Sequence, residues 1–279
     1  MMSVGPFPIR AVLVVLAALV AWGVARWLAR RLPGAPYKPA GALVVDALFV
    51  GLLVARAAYV ALWWREYAAA PMAIIQIGDG GFIWWAGVLA GIAFALWRTR
   101  AATVLRRPVL AGIAAGLLAW AAAGGALWWM QQSAPPLPDI ALTTLDGSPV
   151  GLDQYSDGPM VVNLWATWCP PCRREMPVLQ RAQAAYPDVA FVLVNQGEDV
   201  DTISRFLLEE GLDLRDILRD PHSRTMAETG ARALPTTLYF DTDGRLVDTH
   251  LGELTGASLA DTLRRRFGAL PQTDTDPTE

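Results

Sequence analysis

The chain of 279 residues is 54% apolar with a formal net charge of −3, and it holds only 2 histidines and 2 cysteines. Two cysteines cannot build a disulfide scaffold, and without a second Cys pair or a His pair they cannot complete a four-ligand structural zinc site. The mild charge hides two unlike halves: residues before Gln131 carry 11 Lys and Arg against 3 Asp and Glu, a net of +8, and the remainder 12 against 23, a net of −11. An acidic second half speaks against a nucleic-acid partner.

The first half reads as membrane-embedded. Apolar runs at about 9–28, 40–64, 82–97 and 109–130 predict four transmembrane helices within an anchor covering residues 1–130. Each approaches the ~20 residues needed to cross a bilayer core, the third being short. Ten of the 12 tryptophans lie here, and Trp63, Trp64, Trp84, Trp85, Trp128 and Trp129 sit near the predicted ends, as interfacial aromatics do. Arg26, Arg30, Arg31 and Lys38 fill the first connection and Arg98, Arg100, Arg106 and Arg107 the third, whereas the second has Arg65 offset by Glu66 and Asp79. The positive-inside rule then puts connections one and three in the cytoplasm and both termini outside. The basic residues follow the first apolar run, which is the reverse of a cleavable signal peptide.

Asp46, Val54-Ala-Arg-Ala-Ala-Tyr-Val and Pro71-Met-Ala-Ile-Ile-Gln-Ile-Gly-Asp-Gly-Gly resemble the N-terminal part of prolipoprotein diacylglyceryl transferases. That family follows the Gly-Gly with a motif bearing an essential His; here Trp85 holds that position, and the later transferase helices have no counterpart. An indole has no titratable nitrogen near neutral pH and cannot act as a general base. The resemblance therefore implies an anchor without transferase activity, in which Asp46 and Arg56 keep a structural or lipid-headgroup contact.

Residues 131–136, Gln-Gln-Ser-Ala-Pro-Pro, predict a short stiff linker, followed by a second domain over 137–270 and a disordered tail over 271–279. Within that domain, the β-branched run Val161-Val162-Asn163-Leu164-Trp165 predicts a buried central strand. A short turn leads to Trp168-Cys169-Pro170-Pro171-Cys172, and Cys172-Arg-Arg-Glu-Met-Pro-Val-Leu continues as a helix with Pro177 inside it. Strand, turn, then Cys-x-x-Cys opening a helix is the expected context of a dithiol exchange site. The first sulfur would lie at the helix N-terminus, where free N–H groups favour a thiolate, and the second would resolve a mixed disulfide. A purely structural disulfide is the competing reading, although so short a loop restrains little of the unfolded chain. Downstream, a strand is predicted over 189–195, an Asp201-capped helix over 201–210, a hairpin turn at Asp241-Thr-Asp-Gly and a closing helix over 258–267. Arg264-Arg-Arg at its end suits the helix dipole, and His222 and His250 read as lone surface residues.

Asn163-Leu-Trp-Ala-Thr-Trp-Cys-Pro-Pro-Cys-Arg-Arg-Glu-Met-Pro together with Leu234-Pro-Thr-Thr resemble the TlpA/ResA branch of thioredoxin-like proteins. The resemblance implies an α/β thioredoxin-like domain after an α-helical membrane domain, the whole being a thiol–disulfide oxidoreductase. It implies Cys169 and Cys172 as the catalytic pair, which needs no cofactor beyond its own disulfide. Pro235 would be cis, and Trp168, Leu234, Pro235 and Thr236 would border the substrate. Glu175 matches the acidic residue that this branch places near its cysteines, where a desolvated carboxylate relays the proton of Cys172; a helix-surface Glu beside Arg173 and Arg174 is the other reading. Where cytosolic thioredoxin has a buried Asp, this chain has Asn163. Partners implied are protein thiols and disulfides, the bilayer and a membrane electron donor of the CcdA/DsbD type, at the periplasmic face of a bacterial inner membrane. Cytochrome c maturation is one role within that family. A thiol oxidase running in the opposite direction, or a lipid- or lipoprotein-handling membrane protein with a regulatory redox domain, are the rival functions.

Overall fold

The computed structural model describes residues 3–4, 7–33, 37–131 and 140–272, in which the chain forms two compact units. The predicted linker, but for Gln131, and the tail from residue 273 lie outside the described residues.

One unit comprises residues 2–68 and 81–133. A two-residue strand pair, β1 (Ser3–Val4) and β2 (Phe7–Pro8), precedes α1 (Ile9–Arg31). Then come α2 (Tyr37–Leu62), the short α3 (Trp64–Ala69), α4 (Trp84–Arg98) and α5 (Thr103–Gln131). Three of these helices are long and apolar enough to cross a membrane, over residues 12–31, 38–62 and 103–127. The third apolar run forms α4, whose 15 residues rise about 22 Å, short of a ~30 Å hydrocarbon core.

Small residues let these helices approach closely, as in other membrane bundles. A Cβ added to Gly112 of α5 would lie 2.5 Å from the Ala21 carbonyl oxygen of α1, and one added to Gly116 would lie 2.8 Å from that of Ala17. Gly87 of α4 meets the Gly51 carbonyl of α2 in the same way, at 2.7 Å. The helices outrun the apolar runs because their ends are polar: α1 continues through Arg30 and Arg31, and α5 starts ahead of Arg106-Arg107-Pro108.

The other unit holds residues 140–272 together with the 69–80 segment, which contains two 3₁₀ turns. Its elements are β3 (Leu142–Thr144), β4 (Pro149–Val150), β5 (Met160–Trp165), α6 (Pro170–Ala185), β6 (Ala190–Gln196), α7 (Val200–Glu209), β7 (Ile217–Asp220), α8 (Arg224–Thr229), β8 (Thr236–Phe240), β9 (Leu246–Leu251) and α9 (Gly256–Phe267). They build one seven-stranded sheet in the order β4-β3-β7-β6-β5-β8-β9. β5, buried at every position, pairs parallel with β6 and antiparallel with β8.

Alternation along β5 feeds two cores. Val161 and Trp165 pack with Met176, Leu179, Ile203, Phe206, Leu259 and Leu263, so α6, α7 and α9 share one face. Met160, Val162 and Leu164 pack on the other with Leu142, Leu152 and Leu238. Asn163 has the parity of the helix-covered face, which aims a polar group at α6.

Several boundaries differ from the sequence reading. α7 is capped by Asp199, whose carboxylate accepts from the Thr202 N–H at 2.8 Å, two residues ahead of the expected Asp201. α9 starts at Gly256 through a Thr255–Ser258 capping box. Gln272, placed in the disordered tail, donates its backbone N–H to Ala185 O at 2.8 Å. The β3–β4 hairpin, β7 and α8 have sequences too short and mixed to announce themselves.

Candidate active site

The approach to the cysteines follows from local chemistry. β5 ends at Trp165, the turn is closed by Cys169 N–H donating to Ala166 O, and Cys169 becomes the N-cap of α6 in extended geometry. Pro170 and Pro171 occupy the first helical positions, where a missing N–H costs nothing and the fixed φ suits the helix. Cys172 therefore offers the first free N–H of α6, and it donates to Cys169 Sγ at 3.3 Å. The Pro-Pro spacer removes two donors, but the third is aimed at the sulfur where a thiolate would form.

Cys169 and Cys172 are joined as a disulfide. In this oxidised state Cys169 is 3% exposed and Cys172 0%. What solvent meets here is Trp168, 68% exposed.

Glu175, one helical turn past Cys172, is fully buried, so it is not a helix-surface residue. Its Oε1 accepts from Asn163 Nδ2 at 2.8 Å and its Oε2 from the Leu254 backbone N–H at 2.8 Å. Burial pushes its pKa up to about 8, which these two donors only partly offset; the charge of Glu253 raises it further. Tyr239, also buried nearby, has its phenol pushed up mainly by burial. Glu253 itself is ion-paired with the exposed Arg174.

The Leu234–Pro235 peptide is cis. It leads into β8, where Thr236 pairs with Leu164 of β5 and Thr237 with Asn163, so the topology brings this loop to the strand that delivers the cysteines. Thr236 Oγ1 donates to Ala233 O at 2.7 Å. The Gly252 N–H donates to Pro235 O at 2.9 Å. One short connection, 252–254, thus touches both the proline and Glu175.

A further group was not foreseen. Glu198, in the β6–α7 connection, accepts from the Thr167 N–H at 2.8 Å, from the Thr167 hydroxyl, and from Asn195 Nδ2 at 2.7 Å. It clamps the turn that carries Trp168 and Cys169. The sequence signal, an acidic residue after Asn195-Gln-Gly, is too common to single out. Glu198→Ala should lower the stability of this unit by roughly 1–3 kcal/mol, the range for stranding hydrogen-bonded polar partners. Urea unfolding together with the disulfide-exchange rate checks this; slower exchange is expected, with Glu198→Gln intermediate.

The 69–80 segment contributes Asp79, which accepts from Thr255 Oγ1 at 3.3 Å, and Gln76, which donates to Glu253 at 3.4 Å. His222 is exposed as expected, but His250 is half-buried with Nε2 3.3 Å from Glu253 O. Arg264 and Arg265 pair with Asp261, and Arg266 pairs with Asp248. Among the described residues no three His, Cys, Asp or Glu side chains gather as a metal would require.

Residues 132–263 match the family model of Redoxin, and residues 1–127 match that of prolipoprotein diacylglyceryl transferase. The thiol-disulfide oxidoreductase ResA of Halalkalibacterium halodurans is 32% identical over 119 residues, covering 42% of this chain and 67% of the relative. The thioredoxin-like protein YneN of Bacillus subtilis is 32% identical over 127 residues, covering 44% and 74%. The thiol:disulfide interchange protein DsbE homolog of Paracoccus denitrificans is 33% identical over 119 residues, covering 42% and 65%.

Proposed function

The chain belongs, through its C-terminal half, to the ResA-type thiol–disulfide oxidoreductases, and from that premise we propose that it reduces disulfides of exported proteins at the outer face of a bacterial cytoplasmic membrane. The observation that carries the reading is the Cys169–Cys172 pair at the N-terminus of α6 with the carboxyl of Glu175 buried one turn on.

In the forward direction the Cys169 thiolate attacks one sulfur of a substrate disulfide, forming a mixed disulfide and releasing the first substrate thiolate. Glu175 takes the proton of Cys172, whose sulfur then attacks Cys169 and releases the second. Two electrons pass to the substrate, and the pair is left as the disulfide. Trp168, Leu234 and Pro235 border the incoming chain, and Pro235 presents no N–H there; Thr236, expected to join them, is fully buried behind the loop and holds it through Ala233. A membrane dithiol donor of the CcdA/DsbD type restores the reduced pair. Cytochrome c maturation is one process that such a reductase would serve.

The N-terminal half acts as a four-helix anchor, with α4 as the short third span and both termini outside. The arginine distribution supports that orientation, and Trp85 in place of the transferase His supports an anchor without acyl-glyceryl chemistry. The test uses the full chain, reduced, in detergent with a disulfide-containing unfolded protein. The pair should become oxidised in step with the loss of substrate disulfides. Failure to oxidise the pair, with the substrate disulfides intact, would remove the reductase reading.

A further inference from the structure

The protonation of Glu175 poses a hydrogen-bonding problem that the side chain of Asn163 is placed to solve. As arranged, both carboxylate oxygens accept from N–H groups, Asn163 Nδ2 and the Leu254 backbone. That pattern satisfies an ionised carboxylate. A neutral carboxyl must donate its O–H, and a backbone N–H cannot receive it.

Asn163 Nδ2 reaches a second group, Thr237 Oγ1, at 3.0 Å. Its other end, Oδ1, is buried with no hydrogen-bond partner, in a residue that is 1% exposed. Turning the amide end for end about its last torsion puts the oxygen where the nitrogen was, within reach of both Glu175 and Thr237. The oxygen, with two lone pairs, then accepts from the Glu175 O–H and from the Thr237 O–H, while Leu254 still donates to the other Glu175 oxygen. Thr237 changes from acceptor to donor by rotating its hydroxyl. No heavy atom outside the amide has to move, and in either arrangement one amide end goes without a partner. The balance between the two therefore rests on the proton.

We propose that Asn163 is a positioning residue for Glu175, inverting its side-chain amide each time that carboxyl gains or loses a proton, with Thr237 switching between acceptor and donor. This rests on the reading of Glu175 as the proton relay for Cys172 and deepens it: the relay can change charge inside a fixed core. The other titratable or charged groups facing Glu175 are Glu253 from the β9–α9 connection, held by Arg174, Tyr239 from β8, and the cysteine pair of α6 itself. An Asp at position 163 cannot serve both states, because an ionised one offers no donor.

The sequence makes a direct test possible, since it has just two asparagines, Asn163 and Asn195. The full chain is produced with carbonyl-labelled asparagine and examined in detergent by infrared difference spectroscopy across about pH 5 to 10, the span that brackets a raised carboxyl. The labelled carbonyl band that responds to Glu175→Gln belongs to Asn163. It should shift to lower frequency as pH falls, with the same midpoint as the rise of the protonated carboxyl band. In Glu175→Gln the amide donates to the Asn163 oxygen permanently, so the band should sit at its low-pH position at every pH. Thr237→Val should shrink the shift without abolishing it.

A carboxyl band that titrates while neither asparagine carbonyl moves would overturn the inversion and leave the Glu175 relay standing. Absence of any titrating carboxyl band removed by Glu175→Gln would overturn both.

Discussion

Cys172→Ala is expected to accumulate mixed disulfides with substrate proteins through Cys169, whereas Cys169→Ala should form none and lose exchange activity entirely. The asymmetry follows from where α6 starts. Cys169 caps the helix, beside the exposed Trp168, and receives the Cys172 N–H at its sulfur. It is the less buried of the two sulfurs and the one whose thiolate the helix terminus would stabilise, so the attack on substrate is expected there. Cys172 lies inside the first turn, fully buried, and in the proposed cycle it attacks Cys169 from within. Removing Cys172 leaves the first half-reaction intact and blocks the second, so the covalent intermediate persists. Non-reducing gels of alkylation-quenched samples read this directly. Iodoacetamide should also label Cys169 first in the reduced wild-type chain; faster labelling of Cys172 would reverse the assignment.

The second large effect concerns Glu175→Gln and pH. An ordinary carboxyl titrates at about 4.5 when the chain is unfolded, whereas in the folded unit Glu175 is pushed up to about 8. Between those values the unfolded chain has lost a proton that the folded chain keeps. Stability therefore falls as pH rises, at up to ~1.4 kcal/mol per pH unit, and the deficit amounts to several kcal/mol. The deficit is absent below the unfolded value and complete above the folded one. Glutamine never ionises, so the variant should show a flat profile through this window and exceed the wild type at pH 8. Urea unfolding of the full chain, followed by proteolysis within residues 140–272, separates this unit from the membrane half. The same variant should lose the pH dependence of the exchange rate that Glu175 imposes. A wild-type profile that is already flat would remove Glu175 as a buried titrating group.

The contrast between what could be read from the sequence and what could not has a physical pattern. Cys169, Cys172 and the strand before them were legible because a β-branched run, a turn and a Pro-Pro helix start all lie within a dozen consecutive residues. Pro235 was legible as a motif because Leu-Pro-Thr-Thr precedes an apolar strand. From the sequence Glu175 has two readings, surface or buried. Its burial is decided by Leu254, 79 residues further on, and by Asn163 on a different strand. Glu198 was invisible for the same reason: its meaning lies in Thr167, 31 residues earlier. The cap of α7 was misplaced by two residues because Asp199 and Asp201 have the same chemistry and only backbone geometry chooses between them. In the membrane half, hydropathy located the helices, but the close approach of Gly112 to Ala21 depends on pairing that hydropathy does not encode.

The central claim, that this chain works as an outward-facing reductase, is tested most directly by the thiol state of the pair in growing cells. Acid quenching followed by a maleimide reagent of added mass distinguishes two free thiols from none, because the chain has no other cysteine. The account predicts that most of the protein carries two labels, and that removing the membrane dithiol donor shifts it to none. A pair that is mostly oxidised in normally growing cells, and stays so whether or not that donor is present, would contradict it.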